Sequence, residues 1–370
     1  MAKTPGRGCY SREGTAHERL QVNGMDSAIA LLLLRDGLTS GAIYALLGVA
    51  MVLVFTVTRV LFVPQGEFVA FAALSMVAFE EGRVPGIAGL LLAAAALATV
   101  SQLVLKRKTL GPLRAARIVA IEFGLPALLW LGVQWIAPTR PGLLLAIPLT
   151  VAMSTLLGSA VYRIVFEPLE QASVLVLLIA AFGVHMVMLG MGLYFFGPEG
   201  FQTQPLVDRV FMLGSQRLRA DDLIVLASVA LLMLAMAGFF THTMAGKALR
   251  ASAINRIGAS LVGIDTARTG AIAFALAAAV GAVSGILIGP VTTVYYDTGF
   301  LIGLKGLVAA VLGGLVSFPA TVLAALVLAV FESVCAFWAS GYKEVLVFLL
   351  VLPVLLWRSF AAPHDHDEAD

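Results

Sequence analysis

Long apolar stretches are the feature of this sequence that most restricts its fold. Runs of about 20 apolar residues recur along the chain, and a helix of that length crosses the ~30 Å hydrocarbon core of a bilayer. Backbone polar groups in lipid must bond within their own segment, so these runs predict helices. Charged residues make up only 12% of the chain and fall mainly between the runs. We therefore predict an all-α fold, a polytopic helical membrane protein with about 10–11 membrane segments.

Two of the membrane segments contain residues that interrupt a helix. Pro64 and Gly66 precede a short apolar run at 67–81, and a second short run at 301–316 overlaps the Gly- and Pro-containing sequence 313–319. Irregular backbone at membrane depth is tolerated where it is buried in protein or lines a cavity. The sequence thus predicts two broken or re-entrant elements along a translocation pathway, although a plain loop before a tilted helix is the alternative for the first. The predicted pathway residues from these breaks are Gln65, Gly66, Glu67, Gly313, Gly314, Ser317 and Pro319.

Glycines at four-residue spacing predict close helix packing. Small residues on one helical stripe allow two backbones to approach each other in a membrane. The residues concerned are Gly37 and Gly41 in the first span and Gly281, Gly285 and Gly289 in a later one.

Few ionisable residues fall inside the apolar runs, and each has an ordinary interpretation. Glu122 is one turn and a little more from Arg117, so we expect the two to pair. Lys305 lies near the start of its run and is expected to reach toward the interface. His185 is expected to be a packing residue, because a lone histidine in a helix seldom has a transport role.

Basic loops set the expected orientation. Lys106, Arg107 and Lys108 mark residues 105–117 as cytoplasmic, and the same alternation places 163–171 and 242–268 on that side. Counting every segment gives an odd number of crossings and an external N-terminus, whereas the basic N-terminal tail prefers the inside. A re-entrant 67–81 segment would remove that conflict and leave one crossing fewer.

The domain organisation follows from where the apolar runs begin and end. Residues 1–27 are expected to be a disordered polar tail, 28–358 a transmembrane domain, and 359–370 an acidic tail. Residues 86–140 contain two of the predicted spans. We also expect residues 1–24 to be dispensable for transport.

The polar stretch at 242–268 is the most basic and regular segment in the second half of the chain. Its residues Ile254, Ile257, Leu261 and Ile264 recur at steps of three, four and three, which places them on one face of a helix predicted at 248–262. Two interpretations stay open. One is an interfacial loop that obeys the positive-inside rule, and the other is a helix that docks on a soluble partner.

Several classes of function are not indicated by any motif. The chain has no phosphate-binding loop, metalloprotease signature or nucleophile elbow, and its two cysteines do not form a metal-binding pattern. A net charge of +2 gives no field for nucleic acid. We expect a chain that is not an enzyme and binds no cofactor or metal itself, and no nucleic acid.

Several short motifs resemble those of one family. They are Gly246-Lys-Ala-Leu-Arg-Ala, Ala259-Ser-Leu-Val-Gly-Ile264, Ala310-Val-Leu-Gly-Gly-Leu-Val-Ser-Phe-Pro319 and Arg163-Ile-Val-Phe-Glu-Pro168. Together they resemble the LivH-type permeases of branched-chain amino-acid ABC importers, over about 37–82 and 143–358. The resemblance implies that 28–358 is a transmembrane permease domain and that residues 86–140 are a two-helix insertion in it. The resemblance also adds Lys305 and Glu332 to the predicted pathway residues.

This resemblance implies partners and a role for the 242–268 stretch. Such permeases work in the bacterial inner membrane with a second related permease, two cytoplasmic ATPases that bind the ATP, and a soluble substrate-binding protein. The stretch would be the ATPase-coupling loop, and Gly263 would end its helix. The predicted coupling residues are Lys247, Arg250, Ile254, Asn255, Ile257, Leu261, Gly263 and Ile264.

The chain also departs from the family pattern. Phe62-Val-Pro-Gln-Gly-Glu67 stands where the family often has Asn-Phe-Ala-His-Gly-Glu, and Asn255-Arg256 stands where an acid is common. An importer for urea or a sugar, and an ion-coupled secondary transporter, therefore remain alternatives. The scarcity of intramembrane carboxylates disfavours the ion-coupled carrier.

Overall fold

The computed structural model describes residues 13–105, 111–207, 209–213, 216–350, 352–354 and 356. Its helices in the first half of the chain are α1 (Glu13–Thr58), α2 (Gln65–Glu80), α3 (Gly86–Leu105), α4 (Pro112–Val119), α5 (Leu125–Ile136), α6 (Leu143–Val161) and α7 (Val174–Phe196). Those in the second half are α8 (Ala220–His242), α9 (Met244–Ile254), α10 (Arg256–Leu261), α11 (Thr266–Ile288), α12 (Thr298–Leu312), α13 (Phe318–Trp338) and α14 (Lys343–Leu349).

Short irregular elements complete the chain. A π-helical turn at Ala120–Gly124 joins α4 to α5, and another at Tyr162–Phe166 extends α6. Single 3-10 turns lie at Ala137–Thr139 and Ser340–Tyr342. The loop before α8 contains an antiparallel hairpin of β1 (Val210–Leu213) and β2 (Gln216–Arg219), with Val210 opposite Arg219. The sequence analysis made no prediction for this hairpin.

Eight helices in the described part of the chain are long and apolar enough to cross a membrane. They lie at Ile29–Thr58, Gly86–Leu105, Ala115–Thr139, Leu143–Phe166, Val174–Phe196, Ala220–His242, Thr266–Ile288 and Phe318–Trp338. The predicted all-α, polytopic membrane fold is confirmed. Helices α2 and α12 are shorter, with 16 and 15 residues, as expected for the two interrupted elements.

The two ends of the bundle are defined by α8. It begins at the β-hairpin, which marks what we call the far end, and it ends at α9, which marks the coupling end. Arg35 forms an ion pair with Asp222 in the first turn of α8. Helix α1 therefore enters the bundle at the far end and runs to the coupling end.

Helix α2 is not re-entrant. It runs parallel to α11, because Gln65 donates a hydrogen bond to the carbonyl of Ala277 while Val69 lies against Gly285 further along both helices. At its other end, Glu80 accepts a hydrogen bond from the backbone of Gln204 at the far end. Non-helical residues 59–64 lead from the coupling end into α2, so the segment as a whole passes from one end to the other. The structure therefore supports the higher of the two predicted crossing counts.

The centre of the bundle is formed by α1, α2, α11 and α12. Every residue of α2 from Gln65 to Phe79 is buried. Aromatic rings of Phe62, Phe166 and Phe274 contact one another beneath its first turn, with centroids 4.6 to 6.2 Å apart. By contrast, only 11% of the apolar window of Ala115–Thr139 is buried, so these helices lie at the periphery. Their exposed apolar faces suit contact with lipid.

The glycines at four-residue spacing lie at close helix contacts. A Cβ on Gly37 would be 2.7 Å from the Cα of Val330, and Gly41 is similarly close to Leu326 of the same helix, α13. On α11, a Cβ on Gly285 would be 2.2 Å from the carbonyl oxygen of Val69. Gly281 faces Phe68 and Gly289 faces Thr203 at 3.0 and 2.7 Å. At Gly37 and Gly285 the facing backbone lies too close for a side chain to fit without a shift.

One expectation about the N-terminal tail is corrected. Helix α1 begins at Glu13, so residues 13–27 are helical instead of disordered. The physical reason is that a long, stable span nucleates helix, and adding further residues to it is cheap. Residues 1–12, the basic residues Lys106–Lys108 and the acidic tail 359–370 lie outside the described residues.

Replacing Gly285 by alanine tests the packing of α11 on α2. The added Cβ would meet backbone, which cannot rotate away, so we expect a destabilisation of about 1–3 kcal/mol. The measurement is the apparent melting temperature of the purified chain in detergent. Gly183→Ala is the matched control, because nothing lies within 4 Å of a Cβ at that position. Equal melting temperatures for the two variants would contradict the close contact.

Candidate functional site

The first turns of α2 and α12 meet inside the bundle. A Cβ on Gly66 would lie 1.9 Å from the carbonyl oxygen of Gly299, and one on Gly303 would lie 2.8 Å from the Cα of Gly66. The three glycines therefore bring the two backbones into direct contact. Both helices begin within the buried interior after a non-helical segment, which is the arrangement of broken helices that surround a transport site. We call this contact the helix junction.

A buried carboxylate lies beside the helix junction. Glu67 is fully buried, and its Oε1 is 3.0 Å from Nδ1 of His185 on α7. The imidazole ring of His185 lies against Phe300 of α12, with ring centroids 4.7 Å apart, and against Phe182 at 5.6 Å. This polar pair thus connects α2, α7 and α12 at one point. His185, which was interpreted as a packing residue, faces a carboxylate.

Gln65 anchors the start of α2 to α11. Its Nε2 donates a hydrogen bond of 2.8 Å to the carbonyl oxygen of Ala277, and the residue is fully buried. Gln65 and Glu67 are two positions apart, so they point to different sides of α2. One side therefore fixes α2 to its neighbour, and the other side faces His185.

The partner of the first break is not the one expected from the sequence. Gly313, Gly314, Ser317 and Pro319 form the turn between α12 and α13, away from Gln65–Glu67. The first break meets the beginning of α12 instead, at Gly299 and Gly303. The four-residue spacing of these two glycines is the signal for this contact in the sequence. Only the tertiary fold shows which end of the short helix faces α2.

The turn at 313–319 lies at the coupling end. Gly314 and Leu315 have positive φ angles of 90° and 59°, and Ser317 caps α13 by accepting a hydrogen bond from the backbone of Ala320. Pro319 and Phe318 line an apolar groove together with Phe240 of α8 and Arg250 of α9. This turn is therefore placed to contact the coupling helices and not the helix junction.

Lys305 belongs to a buried ion cluster. Its Nζ lies 2.6 Å from Oε1 of Glu332 and 3.1 Å from Oε1 of Glu344, and 5.7 Å from the ring centre of Tyr44. Lys305 is only 6% exposed, so the expectation that it reaches the interface is wrong. The cause is the pair of carboxylates on α13 and α14, which compensate its charge inside the bundle. The cluster ties α12 to both of these helices.

The coupling stretch forms two helices instead of the single helix expected at 248–262. Asn255 has extended backbone angles, and its side chain caps α10 by accepting a hydrogen bond of 2.8 Å from Gly258. An asparagine side chain competes well for such backbone donors, which favours a helix start over a helix interior. At the end of α10, Gly263 has a φ of 87° and its neighbour Ile264 donates to the carbonyl of Ala259. Gly263 thus occupies the left-handed position that ends a helix.

Apolar side chains of α9 and α10 point away from the bundle. Ile254 is 80% exposed, Ile257 75% and Leu261 82%. Lys247 and Arg250 are also exposed, whereas Ile264 is half-buried. These residues form an apolar surface, bordered by cations, which we call the coupling face.

Both coupling helices are fixed to the bundle behind this face. Gly246 packs directly on the backbone of Phe239 and Phe240 at the end of α8. Arg256 forms an ion pair with Glu170, which also accepts a hydrogen bond of 2.8 Å from Thr266 at the start of α11. The coupling face is therefore rigidly joined to α8 and α11.

The inserted helices contact the coupling end through a different ion pair from the expected one. Glu122 pairs with Arg163 of the π-helical turn after α6, not with Arg117. The reason is that Glu122 points inward toward α6, while Arg117 on the same segment is exposed. Gln102 of α3 also donates a hydrogen bond to Glu167.

Comparisons with known proteins give one consistent result. A family described as branched-chain amino acid transport system / permease component matches residues 33–355. The chain is 32% identical to the high-affinity branched-chain amino acid transport system permease protein LivH of Salmonella typhimurium (strain LT2), over 206 residues that are 54% of this chain and 67% of LivH. It is 30% identical to LivH of Escherichia coli (strain K12), over 56% of this chain and 69% of that protein. It is 27% identical to BraD of Pseudomonas aeruginosa, over 58% and 73%. No solved structure matches the chain.

Replacing Lys305 by methionine tests the ion cluster. The variant leaves Glu332, whose side chain is 12% exposed, without its cation, while Glu344 is 36% exposed and is screened by solvent. The loss of one partner of a buried pair costs about 3–5 kcal/mol, and partial exposure lowers that cost here. We expect a lower melting temperature for Lys305→Met and a partial recovery in the triple variant with Glu332→Gln and Glu344→Gln. Lys343→Met is the control, because Lys343 is exposed and 3.9 Å from Glu344. A Lys305→Met protein as stable as the control would argue against a structural cluster.

Proposed function

We propose that this chain, which belongs to the family of branched-chain amino acid transport system permease components, is the membrane-spanning permease subunit of an ATP-driven ABC importer. Its substrates would be branched-chain or related amino acids, moved across the bacterial inner membrane by alternating access. The ATP would be bound by separate ATPase subunits.

The observation that carries this proposal is the coupling face. Three large apolar side chains, Ile254, Ile257 and Leu261, are at least three-quarters exposed on short helices outside the membrane bundle. Apolar side chains gathered on an amphipathic helix in water typically insert into the groove of a partner. A permease that does not bind ATP itself needs a docking surface of this kind, through which an ATPase can transmit its conformational change.

Charge around the coupling face supports a docking role. Lys247 and Arg250 are exposed beside the apolar residues. Rim charges of one sign steer a partner with complementary charge and set its register. We expect the ATPase groove to carry acidic residues at its border.

The contacts behind the coupling face offer a mechanical route to the helix junction. Movement of α10 would be passed through Arg256 and Glu170 to the start of α11. Helix α11 contacts α2 through Ala277 and Gly285, and α2 meets α12 at Gly66. A shift of α11 would therefore separate or close the helix junction, since packed helices move as rigid bodies.

The partners follow from the same proposal. A second related permease would complete the translocation unit, and two cytoplasmic ATPases would bind the coupling faces. A soluble substrate-binding protein would deliver the ligand at the far end. Residues 86–140 would be a two-helix addition to the permease domain, attached at the coupling end through Glu122 and Gln102.

An ion-coupled secondary transporter is the second candidate. Buried ionisable residues at the helix junction and in the Lys305 cluster are the observation that favours it, because such groups can bind and release protons. This candidate requires uptake by vesicles that contain only this chain and an ion gradient, without nucleotide. We expect no uptake under those conditions.

Replacing Ile257 or Leu261 by glutamate tests the coupling face. Losing one buried apolar anchor removes about 1.5–3 kcal/mol of contact, so we expect uptake by the complete transporter to fall about tenfold or more. ATP hydrolysis by the partner subunits should become independent of substrate. The measurement is paired uptake and ATP hydrolysis in reconstituted vesicles.

Val210→Glu is the matched control for this experiment. Val210 is an exposed apolar residue in the hairpin at the opposite end of the bundle. We expect it to leave ATP hydrolysis coupled to substrate. If both variants elute as folded protein and their ATP hydrolysis still depends on substrate, the docking role is contradicted.

The substrate class is tested through the soluble binding protein. We expect that protein to bind leucine, isoleucine or valine and to stimulate uptake by this chain's complex. If uptake were stimulated instead by a binding protein loaded with urea or a sugar, the chain would belong to a urea or sugar importer.

A further inference from the structure

Glu67 carries a membrane-embedded carboxyl group whose two oxygens both lack a hydrogen-bond partner among the described residues. Its side chain is fully buried, and Nδ1 of His185 lies 3.0 Å from its Oε1 without forming a hydrogen bond. A buried carboxylate oxygen that lacks a donor is costly, so a site that keeps one is suited to a ligand that supplies the donor.

The surroundings of Glu67 are aromatic and apolar. The imidazole of His185 lies between the rings of Phe300 and Phe182, at 4.7 and 5.6 Å. Across from it, Gly66, Gly299 and Gly303 present backbone only. A carboxylate beside aromatic faces is the combination that binds an organic ammonium group, through a charge-assisted hydrogen bond and a cation–π contact.

The one lysine of α12 is already paired. Lys305, two turns along α12 from the junction, is held by Glu332 and Glu344 at 2.6 and 3.1 Å. The residue that caps α12 is Asp297, an exposed acid two positions before Gly299. The approach to Glu67 from the start of α12 is therefore acidic, which attracts cations and repels anions.

A metal ion fits this site less well than an ammonium group. The described residues contain no group of three or more histidine, cysteine or acidic side chains that could hold a metal. Hard metal ions require several oxygen ligands, whereas one carboxylate and an aromatic wall suffice for an ammonium group.

We propose that Glu67 binds the ammonium group of the transported molecule at the helix junction, with Phe300 as an aromatic wall and His185 holding the carboxylate in position. The inference rests on the proposed function for the identity of that molecule as an amino acid. It assigns to this chain a recognition step of its own, in addition to selection by a soluble binding protein.

The site requires the helix junction to open. Gly66 and Gly299 are in backbone contact in this structure, so a ligand reaches Glu67 when the starts of α2 and α12 separate. A ligand that binds only the opened form shifts the equilibrium toward it. The ammonium group would thus favour the transport-competent opening of the junction.

Carbodiimide modification of the full chain tests this proposal. Dicyclohexylcarbodiimide is an apolar reagent that activates carboxyl groups in membrane interiors, and a primary amine can convert the activated carboxyl to an amide. The quantity measured by mass spectrometry is therefore the peptide that remains unmodified. We expect 3-methylbutylammonium to slow modification of Glu67 about tenfold, the ratio that one charge-assisted hydrogen bond supplies. We expect 3-methylbutan-1-ol, which has the same carbon skeleton without the charge, to leave the rate unchanged.

Two internal comparisons sharpen the result. Glu80, at the other end of α2, should be modified at the same rate with and without the ammonium compound. Phe300→Leu should weaken the protection severalfold, measured as the ratio of its own modification rates without and with the ammonium compound, because it removes the cation–π contact. Equal protection by amine and alcohol, no protection by the amine, or equal protection of Glu80 would each overturn the proposal.

The outcome also separates this proposal from the proposed function. Protection of Glu67 by the ammonium compound, without leucine uptake by the complete transporter, would remove the substrate assignment and keep the site. Leucine uptake by the complete transporter, without protection of Glu67, would keep the importer and remove the site.

Discussion

Direct backbone contact between the first turns of α2 and α12 is the constraint on which the rest of the structure depends. Gly66, Gly299 and Gly303 permit it, because a Cβ at Gly66 would overlap the facing carbonyl. Two helices can begin inside a membrane bundle only if their non-helical lead-in segments are buried in protein. The surrounding helices α1, α7 and α11 provide that burial, and α2 is buried along nearly its whole length. At the centre of the bundle, α2 and α12 are therefore in close backbone contact without side chains packed between them.

The same architecture separates two kinds of polar residue. One kind is the ion cluster of Lys305, Glu332 and Glu344, in which the opposite charges pair. These pairs join α12 to α13 and α14 and so fix the position of α12. Glu67 has only His185 as a polar partner among the described residues and faces the helix junction. A compensated cluster stabilises a helix arrangement, whereas an incompletely paired carboxylate is available to a ligand. The distinction depends on the pairing within the bundle and not on residue type.

The coupling end shows how an exposed surface can be tied to a buried contact. The apolar side chains of α9 and α10 face outward, while Gly246, Arg256 and Glu170 fix the same helices to α8 and α11. Helix α11 then carries glycines that pack on α2 within the bundle. Because each of these contacts is close and rigid, a displacement at one end has a continuous path to the helix junction. The inserted helices contact this end as well, through Glu122 and Arg163.

The sequence by itself determined the features that depend on local chemistry. Apolar run length predicted the spans, and Pro64 and Gly66 predicted a break in the helix at membrane depth. Only the tertiary structure decided which segments meet. It paired the first break with the beginning of α12, at Gly299 and Gly303, instead of with 313–319, and it gave Lys305 its carboxylates. The physical reason is that length and periodicity are properties of one segment, whereas partners in a membrane bundle are chosen by the packing of small residues and the pairing of charges between segments distant in sequence.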